Sequence, residues 1–230
     1  MKRVLITGAS SDIGLATCQK YQEAGWLVIG HYRNDRDELD QLRGNQFEDW
    51  QCDFSNLSSL ESDLENRQTN FSNIDAYVNL AAELTAVEFS KASSAEILHI
   101  LSVNLLPGIL IMQAIGPAMA EKGFGRIVHG SSIGVKFGGG EQSFAYSLSK
   151  HALKSFPKNA KNVFVNVARI GATDTRIHRK IEKKDMAART NMIPAGRLAT
   201  PQEIANALFW LGSENNHFTS GETISIAGGE

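Results

Sequence analysis

The sequence is poor in cysteine, with two residues, Cys18 and Cys52, in a chain of 230. Their separation fits neither a CxxC pair nor a metal site, and two isolated thiols do not make a disulfide framework. Such usage is typical of proteins kept in a reducing compartment. We therefore expect a cytoplasmic protein without structural disulfides.

The sequence also lacks an excess of charge of either sign and a long hydrophobic run. The formal net charge is −2, with 23 basic and 25 acidic side chains, so no basic field indicates nucleic acid and no acidic tail is present. The apolar run that follows Met1 to Arg3 is too short for a signal peptide. We expect no membrane span, which needs about 20 apolar residues. The six histidines show no metal-ligand spacing, so we expect no metal.

The pattern of hydrophobic residues indicates an α/β fold. No repeat, low-complexity tract or linker divides the chain, and its length suits one domain over residues 1–230. Short strands that are apolar on both faces alternate with helices, which predicts a doubly wound parallel sheet of about seven strands with helices on both faces. The predicted strands are Arg3–Thr7, Trp26–Tyr32, Phe47–Asp53, Asp75–Ala81, Gly125–Ser132, Val163–Arg169 and Thr223–Ala227.

A turn rich in small residues joins the first predicted strand to a helix and reads ITGASSDIG, from Ile6 to Gly14. Gly8 lies where the chain must turn sharply, and Gly14 would let the helix pack closely on the sheet. Free N–H groups at this helix N-terminus would receive a pyrophosphate. The carboxylate of Asp12 would repel phosphate, and we expect it to cap the helix, with its side chain folded onto backbone N–H groups. Alone, this loop fits a capped turn as well as a nucleotide site.

A second group of polar residues follows the fifth predicted strand, in the stretch SSIGVKFGGGEQSFAYSLSK. Tyr146 and Lys150 are four residues apart, so a helix from Phe144 would place them on one face. A neighbouring ammonium favours the phenolate and lowers the phenol pKa from its usual value of about 10. Ser132 could hold a substrate oxygen during proton transfer. The alternative is a solvated helix face, and the loop at Gly8 favours the catalytic interpretation.

In their order and spacing these motifs resemble those of the short-chain dehydrogenase/reductase family, over essentially the whole chain. The loop TGASSDIG resembles the family's TGxxxGxG, VNLAA (Val78 to Ala82) resembles VNNAG, and ARIGATDT (Ala168 to Thr175) resembles a PG-x-x-x-T cofactor segment. The C-terminal stretch from Gly196 is similar to the family's usual signature. Departures from these patterns fall at Asp12, Leu80, Ala82 and Ile170. The resemblance implies a Rossmann-like fold and reversible carbonyl reduction with hydride from a nicotinamide cofactor.

The resemblance also implies roles for individual residues. Tyr146 would be the acid in reduction and the base in oxidation, and Lys150 would lower its pKa and bond the nicotinamide ribose. Ser132 would polarise the carbonyl oxygen, and Asn104 would hold a water that feeds protons past Lys150. The positions implied to bind the cofactor are Gly8, Ser10, Asp12, Ile13, Gly14, Tyr32, Arg33, Asp53, Asn79, Ala81, Gly171, Thr173 and Thr175, together with Tyr146 and Lys150.

The residues that end the second predicted strand bear on the choice of cofactor. An acidic side chain there would hold the adenosine ribose and repel a 2′-phosphate, but this sequence has Tyr32 at that position and Arg33 next to it. Arginine matches phosphate in charge and geometry, and Ser10 could add a hydrogen bond. We predict NADP(H) in preference to NAD(H), which stays possible; the alternative is that Arg33 points to solvent.

Two further segments bear on partners. The chain reaches the sixth predicted strand early after Lys150, and Pro157 disfavours a helix interior, so we expect the helix that carries Tyr146 to end short. This puts the tetramer common in the family in doubt, although the apolar helix after Asn104 still favours a homo-oligomer. The basic run from Arg176 to Arg189 would suit an acidic carrier protein or a phosphorylated thioester, or would form a solvated helix.

The resemblance is nearest to the 3-oxoacyl-[acyl-carrier-protein] reductase type. We predict an NADP(H)-dependent oxidoreductase that reduces a ketone, which could be a 3-oxoacyl thioester, to a secondary alcohol. An NAD-dependent alcohol or sugar dehydrogenase is one alternative. A non-enzymatic nucleotide-binding sensor of the same fold is another, favoured by the departures at Asp12, Leu80, Ala82 and Ile170. The intact set of Asn104, Ser132, Tyr146 and Lys150 favours an enzyme.

Overall fold

Seven strands form one parallel sheet in the computed structural model, which describes residues 1–42, 44, 46–67, 71–158, 160–176 and 190–230. The strand order is β3-β2-β1-β4-β5-β6-β7, and every neighbouring pair is parallel. The strands are β1 (Arg3–Thr7), β2 (Leu27–Tyr32), β3 (Phe47–Gln51), β4 (Ala76–Asn79), β5 (Gly125–Ser132), β6 (Val163–Ile170) and β7 (Thr223–Ile226). The predicted doubly wound parallel sheet is confirmed.

Helices cover both faces of this sheet. In the described ranges they are α1 (Asp12–Glu23), α2 (Leu57–Asn66), α3 (Ser94–Asn104), α4 (Leu106–Lys122), α5 (Phe144–Ala152) and α6 (Pro201–Gly212). One buried apolar cluster joins α1 and α6 to one face. A second cluster joins α2 and α4 to the other face. The central strands β1, β4 and β5 are therefore buried on both faces, whereas the edge strand β3 exposes Glu48, Asp49 and Gln51.

Local capping explains where two of these helices begin. The Ser93 side chain accepts a hydrogen bond from the backbone of Glu96, whose own side chain accepts from the Ser93 backbone. Thr200 and Glu203 form the same reciprocal box at the start of α6, where Pro201 occupies the first helical position. Each box satisfies donors that a helix N-terminus otherwise leaves without partners.

The helix that carries the Tyr-Lys pair is short, as expected. Helix α5 spans Phe144–Ala152 and continues only as a single 3₁₀ turn, Leu153–Ser155. The helix predicted from Asp37 forms as a short 3₁₀ helix, Asp37–Leu42.

One segment is longer and more apolar than the sequence analysis expected. Within the described residues, the helical stretch Ser94–Lys122 is long and apolar enough to span a membrane, by length and composition alone. It consists of two helices, α3 and α4, which meet at Leu105, and α4 contributes Ile111, Ile115 and Met119 to the second buried cluster. A core helix has the same composition as a span, so this segment is no more than weak evidence for a membrane.

The strand order places the functional end of the sheet. The chain runs outwards from β1 to β2 and β3, then crosses back to β4 on the other side of β1. In open parallel sheets a crevice forms where the order reverses, outside the carboxyl ends of the strands. The loops that follow β1, β4 and β5 therefore meet at one edge of the sheet.

Candidate active site

The loop after β1 is built so that its backbone lies close to the neighbouring strands. Gly8 has a φ of +72°, and a Cβ there would lie 2.9 Å from the Ala81 nitrogen. A Cβ on Gly14 would lie 2.1 Å from the Gly8 carbonyl oxygen. Any side chain at either position would force the loop away from the sheet or from α1, so the sequence needs glycine at both.

Ser11 caps α1. Its backbone is extended, and its hydroxyl accepts from the Gly14 N–H at 3.1 Å and donates to the Gly8 carbonyl at 2.7 Å. The cap closes the loop on itself and leaves the helix N-terminus facing the crevice. The prediction that Asp12 caps the helix was wrong, because Asp12 is already the first helical residue and Ser11 has the extended backbone that a cap requires.

Asp12 instead pairs with a residue from the far end of the chain. Its carboxylate accepts from the Arg176 backbone N–H at 2.7 Å and lies 2.8 Å from the Arg176 Nε. The same guanidinium donates to the Ser10 carbonyl at 2.9 Å and pairs with Glu38. Arg176 thus pairs with the carboxylate that interrupts the glycine pattern and shares its charge between Asp12 and Glu38.

The Ser-Tyr-Lys group converges at the carboxyl end of β5. Ser132 is the last residue of that strand. Its Oγ accepts from the Gly134 N–H at 3.2 Å and is near enough to the Tyr146 phenol to act to lower its pKa. The Lys150 ammonium donates to the Gly130 carbonyl at 2.8 Å and lies 5.9 Å from the centroid of the Tyr146 ring. The Ser131 hydroxyl donates to the Lys150 carbonyl at 2.9 Å and fixes α5 against the strand.

Burial dominates the acid-base properties of this group. It raises the pKa of Tyr146 to about 12, while the hydrogen bond with Ser132 acts in the opposite direction. Burial also lowers the pKa of Lys150 to about 8. Desolvation of the phenol therefore outweighs the influence of Ser132, and the lowering of the Tyr146 pKa by Lys150 stays a prediction. At neutral pH the phenol is protonated and able to donate.

Asn104, at the C-terminus of α3, links this group to the loop after β4. Its side-chain oxygen accepts from the Glu83 N–H at 2.7 Å, and its amide donates to the Glu83 carbonyl at 3.0 Å. The same amide donates to the Ser149 hydroxyl at 3.1 Å, which in turn donates to the Tyr146 carbonyl at 2.7 Å. These bonds use both amide donors of the Asn104 side chain, which therefore positions the loop and α5. Its role in holding a water stays a prediction.

Comparison with known proteins agrees with this geometry. A family model described as Enoyl-(Acyl carrier protein) reductase matches residues 8–230. The chain belongs to the short-chain dehydrogenase/reductase family.

Relatives within the short-chain dehydrogenase/reductase family span the whole chain. The 3-oxoacyl-[acyl-carrier-protein] reductase FabG of Escherichia coli (strain K12) is 30% identical, with 99% of this chain and 96% of the relative covered. An acetoacetyl-CoA reductase of Acinetobacter sp. (strain RA3849) is also 30% identical, covering 99% and 97%. A Beutenbergia cavernae structure, described as a candidate NAD(P)-dependent gluconate 5-dehydrogenase with NADP bound at low occupancy, is 28% identical with a TM-score of 0.89, covering 99% and 96%.

Two residues expected to bind the cofactor are core residues instead. The Asn79 side chain is buried, accepts from the Thr7 hydroxyl at 3.1 Å and lies 3.1 Å from His129 Nδ1. It ties β1, β4 and β5 together below the crevice. Tyr32 is buried in the first apolar cluster with Leu39 and Leu42, because alternation along β2 turns its side chain away from the side on which His31 lies.

The remaining expected positions have the following contacts, and their role in this short-chain dehydrogenase/reductase stays a prediction. Ala81 and Ser10 lie beside the β1 loop, and Ile13 packs on the first apolar cluster. Asp53 turns its carboxylate onto the Ser55 N–H at 2.9 Å. The segment after β6 is closed by internal hydrogen bonds that involve Gly171, Thr173 and Thr175. Of the basic run, only Arg176 lies within the described residues.

Three side chains at this site were not assigned to it from the sequence. His31 is buried, accepts from the Gly8 N–H at 3.3 Å through Nδ1, and its Nε2 lies 2.9 Å from the Cys52 carbonyl. Arg176 and Glu83 contact residues that the sequence did assign, Asp12 and Arg33. The signal for Arg176 was Asp12 itself, since a carboxylate in a phosphate loop requires a cationic partner; nothing local pointed to His31.

Proposed function

We propose that this protein is an NADP(H)-dependent oxidoreductase that reduces a ketone to a secondary alcohol, with 3-oxoacyl thioesters as the substrate class. The observation that carries the proposal is the convergence of Ser132, Tyr146 and Lys150 beside a glycine loop at the switch point of the sheet. The FabG reductase and the acetoacetyl-CoA reductase, each 30% identical over the whole chain, support the carbonyl chemistry.

The crevice fits a dinucleotide. The Gly8 backbone approaches Ala81 so closely that only glycine leaves the loop in place, and the N-terminus of α1 presents N–H groups of the kind that bind phosphate. The Asp12 carboxylate is paired with Arg176, which also contacts Glu38. Gly8, Ser10, Gly14 and Arg176 would hold the phosphates, and Arg33 with Asp53 would flank the adenosine.

The residues of this chain supply the proton and the orientation. When bound, a nicotinamide supplies or accepts the hydride. The Tyr146 hydroxyl donates its proton to the substrate carbonyl oxygen in reduction and receives it in oxidation. Ser132 Oγ, which lies near that phenol, orients the same oxygen. Lys150 is protonated at neutral pH, because its lowered pKa of about 8 is still above 7, and stabilises negative charge that develops on the phenol.

Substitution of the phenol tests this mechanism. Tyr146→Phe removes the proton donor, and general acid catalysis of this kind is worth about 10²- to 10⁴-fold in rate. We expect kcat for NADPH-dependent reduction of acetoacetyl-CoA, followed at the nicotinamide absorbance, to fall by at least that lower bound. Tyr21→Phe is the matched control, because Tyr21 packs in the core against Trp26 and Phe209. Turnover retained in Tyr146→Phe would contradict the assignment.

An NAD(H)-dependent alcohol or sugar dehydrogenase is a second candidate. It is favoured by one observation, the pairing of Arg33 with Glu83 at 3.3 Å, which engages the arginine expected to meet a 2′-phosphate. A panel of alcohols and sugars with NAD distinguishes it from the first candidate.

We propose one domain over residues 1–230, a cytoplasmic location and a homo-oligomer. Exposed apolar side chains support association, with Phe89, Leu98 and Leu148 near or on α3 and α5. Sedimentation of a monomer at micromolar concentration would contradict the oligomer.

A further inference from the structure

The loop after β4 places a carboxylate against the arginine that follows β2. Arg33 Nη1 lies 3.3 Å from Glu83 Oε2, and Glu83 Oε1 lies 3.1 Å from the Nε2 of His99 on α3. Strands β2 and β4 flank β1 on its two sides. The Arg33–Glu83 pair therefore crosses above the carboxyl end of β1, where the loop at Gly8 begins.

The backbone of Glu83 is held in place, whereas its side chain can change partners. Its backbone N–H and carbonyl are both held by the Asn104 side chain, at 2.7 and 3.0 Å. The side chains of Arg33 and His99 are 52% and 46% exposed and that of Glu83 is 31% exposed. A polar ligand can reach all three side chains, and the Glu83 carboxylate can rotate towards His99 without moving the loop.

The charges at this end of the crevice are unfavourable for a further anion. A backbone hydrogen bond from Ser55 is the main influence that lowers the pKa of Asp53, and the charges of Arg33 and His99 add to it. The Arg33 guanidinium thus acts electrostatically on Asp53 and contacts the Glu83 carboxylate directly. A phosphate group that approaches Arg33 meets a site whose cation is already paired.

We propose that Glu83 is a specificity-determining residue that weakens the preference for NADP(H) over NAD(H). Its carboxylate holds Arg33 and must be displaced before the guanidinium can bind a 2′-phosphate, while His99 remains as the partner of the displaced carboxylate. A dinucleotide without the 2′-phosphate does not require Arg33 to leave Glu83. This inference rests on the proposed function, because it concerns binding of the cofactor that function requires.

The test is the ratio of NADPH to NADH dissociation constants in Glu83→Gln, measured by fluorescence titration at moderate salt. Exposed ion pairs of this kind are worth up to about fivefold in an equilibrium constant, so we expect NADPH affinity to rise by about fivefold relative to NADH. Glu88→Gln is the charge-matched control. Glu88 pairs with Lys91 at 2.6 Å, away from the crevice, and its loss should leave the ratio unchanged.

Two further experiments test whether displacement of Glu83 from Arg33 is the cause of the change in selectivity. 2′,5′-ADP and 5′-AMP, used as competitors, should show the same selective gain, because they differ only in the 2′-phosphate. In an Arg33→Gln background the gain from Glu83→Gln should shrink, since no guanidinium remains to be released; an undiminished gain would overturn displacement as the cause.

An unchanged ratio in Glu83→Gln, or an equal shift for both nucleotides, would overturn this inference alone and leave the proposed function standing. Wild-type protein that binds neither nucleotide would overturn the proposed function, and this inference with it.

Discussion

Replacement of Lys150 by methionine should make the protein more stable at pH 7 while it removes activity. Lys150 is 3% exposed, and burial lowers its pKa from 10.5 to about 8. At about 1.4 kcal/mol per pKa unit, this shift corresponds to roughly 3 kcal/mol of cost for the charged form. The substitution also removes the 2.8 Å hydrogen bond from the ammonium to the Gly130 carbonyl, and a hydrogen bond to a charged group is worth about 1.5 to 3 kcal/mol. A net gain of up to about 1.5 kcal/mol is expected.

The difference in unfolding free energy between Lys150→Met and the wild type should depend on pH. Below the folded pKa of about 8 the lysine is charged in both states, so the folded protein bears the full cost. As pH rises from about 8 towards 10.5 the folded state loses the proton first, and the stability of the wild type rises relative to the variant. We expect the difference in unfolding free energy to shrink by about 2 kcal/mol between pH 7 and pH 9.5.

Urea unfolding of wild type and Lys150→Met at the two pH values is the assay. A gain of 1 kcal/mol shifts Tm by about 2 to 4 °C in a protein of this size, so calorimetry gives a second readout. Lys154→Met is the control, because Lys154 is half-buried on the 3₁₀ turn that follows α5, and it should change stability by less than about 0.5 kcal/mol. A Lys150→Met variant that is less stable at pH 7, or a difference that does not shrink with pH, would refute the reasoning.

The loop after β1 carries two further predictions. Gly8→Ala should cost at least about 1 to 2 kcal/mol for the left-handed backbone alone, and should abolish dinucleotide binding because the new Cβ lies 2.9 Å from the Ala81 nitrogen; binding retained at wild-type affinity would contradict this. Asp12→Ala should cost about 1 to 2 kcal/mol in urea unfolding, since it removes a backbone hydrogen bond and an ion pair with Arg176. Glu23→Ala, which breaks only an exposed pair with Lys20 at 3.7 Å, should cost less than about 0.5 kcal/mol, and equal losses in the two variants would exclude the Arg176 contact as the cause.

The sheet could be predicted from sequence because its central strands are buried on both faces. Strands β1 and β5 each contain a short apolar run, Val4 to Ile6 and Ile127 to Val128, and the structure begins and ends both strands at the predicted residues. The alternation with helices then determined the parallel order. Short helices were harder to predict: the pattern of polar and apolar residues in Asp37–Leu42 suits an α-helix, but the segment forms a 3₁₀ helix.

The candidate site was predictable only where contacts are local in sequence. Tyr146 and Lys150 are one helical turn apart, so their proximity follows from the helix. The partner of Asp12 could not be read in this way, because Arg176 lies 164 residues away and meets it only after β6 has joined the sheet. The same holds for Arg33 and Glu83, which are 50 residues apart.

Tyr32 and Asn79 show a different limit. Both lie at the carboxyl ends of strands beside the crevice, where a position in the sequence indicates a functional site. The register of the strand determines the face on which each side chain lies. On that face, neighbouring residues bury both Tyr32 and Asn79.

The measurement that most directly tests the central claim is a titration of the purified wild-type protein with NADPH and NADH in parallel, followed by nicotinamide fluorescence at moderate salt. We expect saturable binding of both nucleotides at a single class of site. NADPH should bind more tightly than NADH, because Arg33 can reach its 2′-phosphate. Binding of neither nucleotide would contradict the claim that the loop from Gly8 to Gly14 holds a dinucleotide. Tighter binding of NADH would contradict the assignment of NADP(H).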